Sequence, residues 1–224
     1  MKNQSENKVY TLAEVLGKHT IAELKQMTQV LEVKVLSKAK KQEIIDALSA
    51  KLLDKELLTA WLLAAGKQEI EELELAMAED VVIAEESGRF YYWRNLPVVF
   101  VTGDGVVVVP SETAAVYNEI KSDSEYAAKR ARIDVMDEYL MSCVNLYRAI
   151  DITTFLSIVN GQTGMNAKRP ELESWLKDRE AVRGQQMYFF EGGYILSEEY
   201  RTKKEGEVVD YHQLLERQGA MSYY

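Results

Sequence analysis

Val98-Val99-Phe100-Val101 and Val106-Val107-Val108-Val109 stand on either side of Gly103-Asp104-Gly105, and no other stretch of the chain restricts its fold as much. Two β-branched runs joined through Asp-Gly form a β-hairpin, because these turn residues accept the backbone angles that a tight link between twisted strands requires. Pro110 cannot donate to a further ladder bond, so the second strand is expected to end there, with Ser111 capping the next helix. A second hairpin is expected in residues 187–197 around Gly192-Gly193. Nearly everything else is spaced for helices. The expected class is therefore mainly α with small β-hairpins, an α+β chain.

Ahead of the first hairpin, Thr20-Ile21-Ala22-Glu23 is a capping box, in which the Thr20 hydroxyl accepts from the Glu23 amide and the Glu23 carboxylate reaches back. Ile21, Leu24, Met27 or Thr28, and Leu31 continue one helical face. After a break at residues 33–36, Ser37 is expected to cap a second helix carrying Ile44, Ile45, Leu48, Leu52 and Leu53. Asp54 can cap a third, with Leu57, Leu58, Trp61 and Leu62, closed by Gly66. Residues 67–79 supply a fourth, with Ile70, Leu73 and Met77. Phe90 to Leu96 is aromatic-rich and fits neither period. Helices, a hairpin and another helix over residues 54–122 read as a winged-helix-like unit. From Asp123 a long helix is expected with Ile133, Met136 or Asp137, Leu140, Val144 and Tyr147 near heptad spacing, packed as an ordinary core face. Shorter helices follow at residues 152–159, stopped by Asn160-Gly161, and at residues 170–177, where Pro170 suits a first turn. A last helix is expected at residues 208–218. The ending Met221-Ser222-Tyr223-Tyr224 either docks on the body or marks where a longer chain continues. The chain is thus expected to have three regions: 1–53, 54–122 and 123–224.

The string TIAELKQMTQVLEVKVLSKAKKQEIIDAL, Thr20 to Leu48, resembles the N-terminal helical module of the Rho transcription termination factor and, more distantly, SAP-type helix-extended-helix modules. The resemblance rests on Ala22-Glu23-Leu24-Lys25 at a helix start, the Leu36-Ser37-Lys38 turn, and Lys40-Lys41-Gln42-Glu43-Ile44-Ile45 in the second helix. It covers under a fifth of the chain. Such modules generally bind nucleic acid, and some relatives dock on proteins. The resemblance implies a basic helix entrance at Lys38, Lys40 and Lys41, to which Lys34 and Ser37 add as candidate backbone contacts. Cations at a helix start oppose the helix dipole, so the dipole does not explain these lysines. Two departures set the chain apart from a terminator. No barrel-forming strand series follows, and Gly17-Lys18-His19 and Gly66-Lys67-Gln68 lack the Ser or Thr that a nucleotide-bound magnesium needs. The middle region in turn resembles segments that follow Rho-N-like modules in other bacterial proteins.

Charge separates the head from the body. The net charge is −9, yet residues 1–55 hold ten lysines and seven acids, while the remainder is strongly acidic. An acidic surface repels phosphate, so only the head is suited to nucleic acid. The helix of residues 67–79 cannot read a groove, since Glu69, Glu71, Glu72, Glu74 and Glu79, with Asp80 just beyond, oppose a single lysine. Lys129, Arg130 and Arg132 form a second basic cluster, expected to be ion-paired, with Glu125 one turn before Lys129. Hydrophobic residues at 47% and charged residues at 28% match a globular chain, not a disordered one.

No metal site or cofactor is expected, because His19 and His212 are far apart, solvent-facing and without clustered partners. No catalytic motif is present. Glu71-Glu72, Glu85-Glu86 and Glu198-Glu199 read as solvated faces, and Gly103-Asp104-Gly105 reads as a turn, not as a phosphate loop. A single cysteine, Cys143 in an apolar stretch, and the absence of a leader-like or membrane-length apolar run point to the cytoplasm. The expected function is that of a nucleic-acid-associated adaptor, touching DNA or RNA weakly through Lys34, Ser37, Lys38, Lys40 and Lys41 and a protein through its acidic body. The alternative is an interaction or scaffolding protein of a bacterial mobile element, with no nucleic-acid binding. A deep pocket with converging polar groups would instead indicate an enzyme.

Overall fold

A computed structural model of the chain describes residues 9–84, 88–183 and 188–200. The chain divides into two compact units, Met1–Ala127 and Ala128–Tyr224. Both are mostly helical, and each contains a three-stranded antiparallel sheet.

The first unit opens with α1 (Leu12–Gly17), α2 (Ile21–Val30) and α3 (Lys41–Leu52). Thr20 and Glu23 form the expected capping box. Thr11 and Glu14 form a second one that starts α1, with the Thr11 amide donating to Glu14 at 2.8 Å. On α2 the inward positions are Leu24, Thr28 and Leu31, while Ile21 is exposed. Leu12, Leu16, Ile44 and Leu48 complete the apolar centre of this part. Ser37 does not cap α3. It lies in a turn closed by the Ala39 amide on the Leu36 carbonyl, so the helix begins later, with Lys40 as the capping residue and its amide donating to Glu43 at 2.7 Å.

Asp54 caps α4 (Lys55–Ala64) by accepting from the Glu56 and Leu57 amides. Gly66 does not close that helix. It precedes α5 (Lys67–Ala78) as the capping residue, with an ordinary negative φ. Phe90 to Leu96 becomes the short helix α6 (Tyr91–Asn95), locked by Tyr92 Oη on the Trp61 carbonyl and Trp93 Nε1 on the Glu69 carbonyl. The hairpin forms as expected between β2 (Phe100–Val101) and β3 (Val106–Val108). A further strand, β1 (Val81–Val82), pairs with the other side of β3, giving the order β1-β3-β2. Ser111 is the first residue of α7 (Ser111–Lys121) and not its cap, since Pro110 occupies the capping position. The α1–α3 segment is tied to α7: the Ser111 amide donates to the Tyr10 carbonyl at 2.9 Å and the Leu12 amide to Glu112 at 3.0 Å.

α8 (Ser124–Tyr147) begins in the last residues of the first unit, beside Asp123, whose carboxylate accepts from the Glu125 and Tyr126 amides, and most of its length belongs to the second unit. Ile133, Met136, Leu140 and Val144 are its buried side, with Cys143 buried alongside them. β4 (Ala149–Asp151) leads into α9 (Ile152–Thr163), which Asp151 caps. Asn160-Gly161 does not stop α9. Asn160 bonds both the amide and the carbonyl of Ala167, and the helix ends at Gly164 in the left-handed region. α10 (Arg169–Arg183) is longer than the expected residues 170–177, with Pro170 in its first turn. The hairpin around Gly192-Gly193 forms from β5 (Tyr188–Glu191) and β6 (Tyr194–Ser197), and β4 adds to β6 to give β4-β6-β5. The expected helix at residues 208–218, the terminal aromatic residues, His212, Met187 and Glu85-Glu86 lie outside the described residues.

Candidate nucleic-acid interface

The nine residues between Leu31 and Lys41 are not a loose loop. Glu32 adopts a left-handed conformation (φ 53) that turns the chain out of α2. The Val33 amide then donates to the Thr28 carbonyl at 2.8 Å. Farther along, Lys25 on α2 donates from Nζ to the Ser37 carbonyl at 3.1 Å. Glu43 fixes the Lys40 amide. A segment tied at several points loses little further conformational freedom when it meets a ligand.

Lys34, Ser37, Lys38 and Lys40 are all exposed on this connection. None of the three lysines pairs with a carboxylate among the described residues. Lys41 differs from them. It is half-buried, and its amino group donates at 2.6 Å to the Gly17 carbonyl, where α1 ends. It also lies close enough to Glu23 to help hold that carboxyl below its usual range, after the larger effect of the Thr20 amide and hydroxyl. Lys41 therefore joins α1, α2 and α3, whereas Lys34, Lys38 and Lys40 project charge into solvent. Leu36, at the centre of the lysines, is 79% exposed.

Lys25 is the residue that sequence reasoning missed. Its contact crosses from a helix to a connection twelve positions away, and no local pattern marks it.

In the other basic cluster both arginines are ion-paired, while Lys129 is exposed. Arg130, 8% exposed, bonds Asp134 one turn on. Arg132 holds Glu171 through two bonds of 2.9 Å and the Met165 carbonyl at 3.1 Å. Its partners are thus Asp134 and Glu171, not Glu125. On α5, Glu72 accepts from the Phe90 amide, and Glu74 accepts from the Tyr117 hydroxyl and pairs with Lys121. Glu71 and Glu79 remain exposed. His19 is not simply solvent-facing. It is half-buried, 6.1 Å from the Phe100 ring centre and 3.8 Å from the Glu23 carboxylate. Glu198-Glu199 also departs from a plain solvated face, since Glu199 meets Arg148 at 3.4 Å.

Compared with protein-family models, with curated proteins and with solved structures, the chain finds no match in any of the three. Among the described residues no cluster of three histidine, cysteine or carboxylate side chains is placed to hold a metal ion, and no helix is long and apolar enough to cross a membrane.

Proposed function

We propose that this protein is a nucleic-acid-associated adaptor, a binding protein and not an enzyme, whose connection between α2 and α3 touches the phosphate backbone of DNA or RNA. The observation that carries the reading is the exposure of Lys34, Lys38 and Lys40, without a carboxylate partner among the described residues, on a segment pinned by Thr28, Lys25 and Glu43. Three isolated ammonium groups give weak, sequence-independent contact and carry no base readout. The Rho-N/SAP-type module of residues 1–53 supplies this head. The winged-helix-like middle region serves as support and not as a reading element, because its α5 is strongly acidic. The acidic body contacts a protein. The reading assigns the chain to the cytoplasm, supported by the lone Cys143, a buried thiol that desolvation pushes above its ordinary value.

Three neutralised phosphates give a log–log salt slope of about −2.7 on duplex DNA and about −2.1 on single strands. Between about 50 and 200 mM salt the affinity should therefore fall about 40-fold and about 18-fold respectively. Fluorescence anisotropy of the full chain with labelled duplex DNA, single-stranded DNA and RNA tests this. The full chain is required because α1 is bonded to α7. Replacing Lys34, Lys38 and Lys40 with Glu should abolish binding. Salt-independent binding, or binding that survives the triple reversal, would remove the reading.

The second reading, a scaffolding protein of a mobile element that binds only protein, draws on Leu36 and Val30, both strongly exposed beside the lysines. It predicts no anisotropy change with any nucleic acid.

A further inference from the structure

β1, β3 and the end of α5 border a groove of about 620 Å3 whose lining includes none of Lys34, Lys38 and Lys40. Ala76, Met77, Val82 and Val106 make its apolar surface, and Val9 lies at its margin. Val9 and Val82 are two of the few large apolar residues strongly exposed among the described residues, and both line this groove; Val82 is 66% exposed. Three carboxylates, Glu79, Asp80 and Asp104, stand around it, all exposed. β1 is an edge strand of its sheet, so the groove lies at an open side.

We propose that this groove docks a segment of a partner protein carrying apolar side chains next to a lysine or arginine. The exposed valines and Met77 call for apolar side chains that displace water from them. The carboxylates repel phosphate and acidic peptides and attract a cation. Lys18, whose ammonium sits 4.3 Å over the Tyr10 ring, lies near Asp104 and offsets the hairpin end. The partner's cation is therefore drawn to Glu79, at the other end of the groove. This inference rests on the adaptor reading for its protein-binding half and is separable from its phosphate-binding half.

The test uses the full chain and three labelled peptides of equal length: alternating leucine and lysine, alternating serine and lysine, and alternating leucine and glutamate. The leucine–lysine peptide should bind at least about tenfold tighter than either of the others. Val82→Asp, at an exposed position, should weaken that binding by about tenfold even though it adds a negative charge. Glu79→Lys, also exposed, should weaken the leucine–lysine peptide and strengthen the leucine–glutamate one, and it provides a second measurement if Val82→Asp disturbs folding. General attraction of cations to an acidic protein would leave Val82→Asp binding unchanged or stronger, and that result overturns the proposal. So does equal binding of the serine–lysine peptide, preference for leucine–glutamate, or no binding of any peptide. A dimer seen by sedimentation and dissolved by Val82→Asp would give the groove to a second copy, which also overturns it. The Lys34, Lys38, Lys40 triple reversal should leave peptide binding intact, so failure of the phosphate contact and failure of the groove are read separately.

Discussion

Lys41→Ala and Lys38→Ala, made singly, should separate a lysine that holds the fold together from one that faces a ligand. Lys41 donates to the Gly17 carbonyl at 2.6 Å and lies close to Glu23. A hydrogen bond from a charged donor contributes about 1.5–3 kcal/mol when shielded, and partial exposure of Lys41 reduces this to about 1 kcal/mol. For a chain of this size that is a drop in Tm of about 2–4 °C. Lys38 contacts no carboxylate and should change stability by less than about 0.5 kcal/mol. In nucleic-acid binding the order reverses. Losing Lys38 removes one phosphate contact and should flatten the salt slope by about 0.9, whereas losing Lys41 should leave the slope nearly unchanged. Differential scanning calorimetry reads the first quantity, and anisotropy titrated over several salt concentrations reads the second. If Lys41→Ala keeps its Tm and flattens the slope, Lys41 is a phosphate ligand and its contact with Gly17 is incidental. If Lys38→Ala lowers Tm without touching the slope, the exposed lysines have no phosphate role.

Other consequences concern stability. Asp137 accepts from Arg179 at 2.5 Å and from the Tyr188 hydroxyl at 3.2 Å, and Arg179 is 5% exposed, so Asp137→Ala should cost about 3–5 kcal/mol. Hydrogen exchange in α8 and α10 would report that loss, and pairing Asp137→Leu with Arg179→Met should recover much of it. Gly105 has φ +81, and a Cβ there would stand 2.7 Å from the Ile83 carbonyl oxygen, so Gly105→Ala should destabilise the β1-β3-β2 sheet by about 1–3 kcal/mol, visible as faster exchange of the Ile83 amide. Thr20→Ala removes an N-cap and should cost about 1 kcal/mol in thermal unfolding. Glu74 is held below its ordinary value of 4.5 by Lys121 and then by the Tyr117 hydroxyl. A depressed carboxyl stabilises the fold above its unfolded pKa and loses that contribution as pH falls through the folded one. Glu74→Gln should therefore be less stable than the parent at neutral pH, with the difference shrinking as pH drops below 4.5 in urea titrations.

What the sequence determined by itself is local. The Thr20–Glu23 box, the caps at Asp54 and Asp123, the Gly103-Asp104-Gly105 hairpin and the inward stripe of α8 each depend on groups only a few residues apart, so their geometry is settled before the chain closes on itself. The charge asymmetry that set a basic head, with Lys34, Lys38, Lys40 and Lys41, apart from an acidic body is likewise a property of composition along the chain. The tertiary structure decided everything that requires distant partners. Val81–Val82 becomes a strand because β3 offers an edge, and Ala149–Asp151 does so because β6 does; runs of two or three residues hold no pairing signal of their own. Ser37 looked like a cap because capping residues are recognised by type, yet the turn that fixes it is anchored by Lys25 from another helix. Arg132 and Glu171, thirty-nine positions apart, and Lys41 with Gly17, twenty-four apart, meet only once loop closure has been overcome by burial of the core between them. The same event separates Lys41, bound into the fold, from the three exposed lysines that precede it in the sequence.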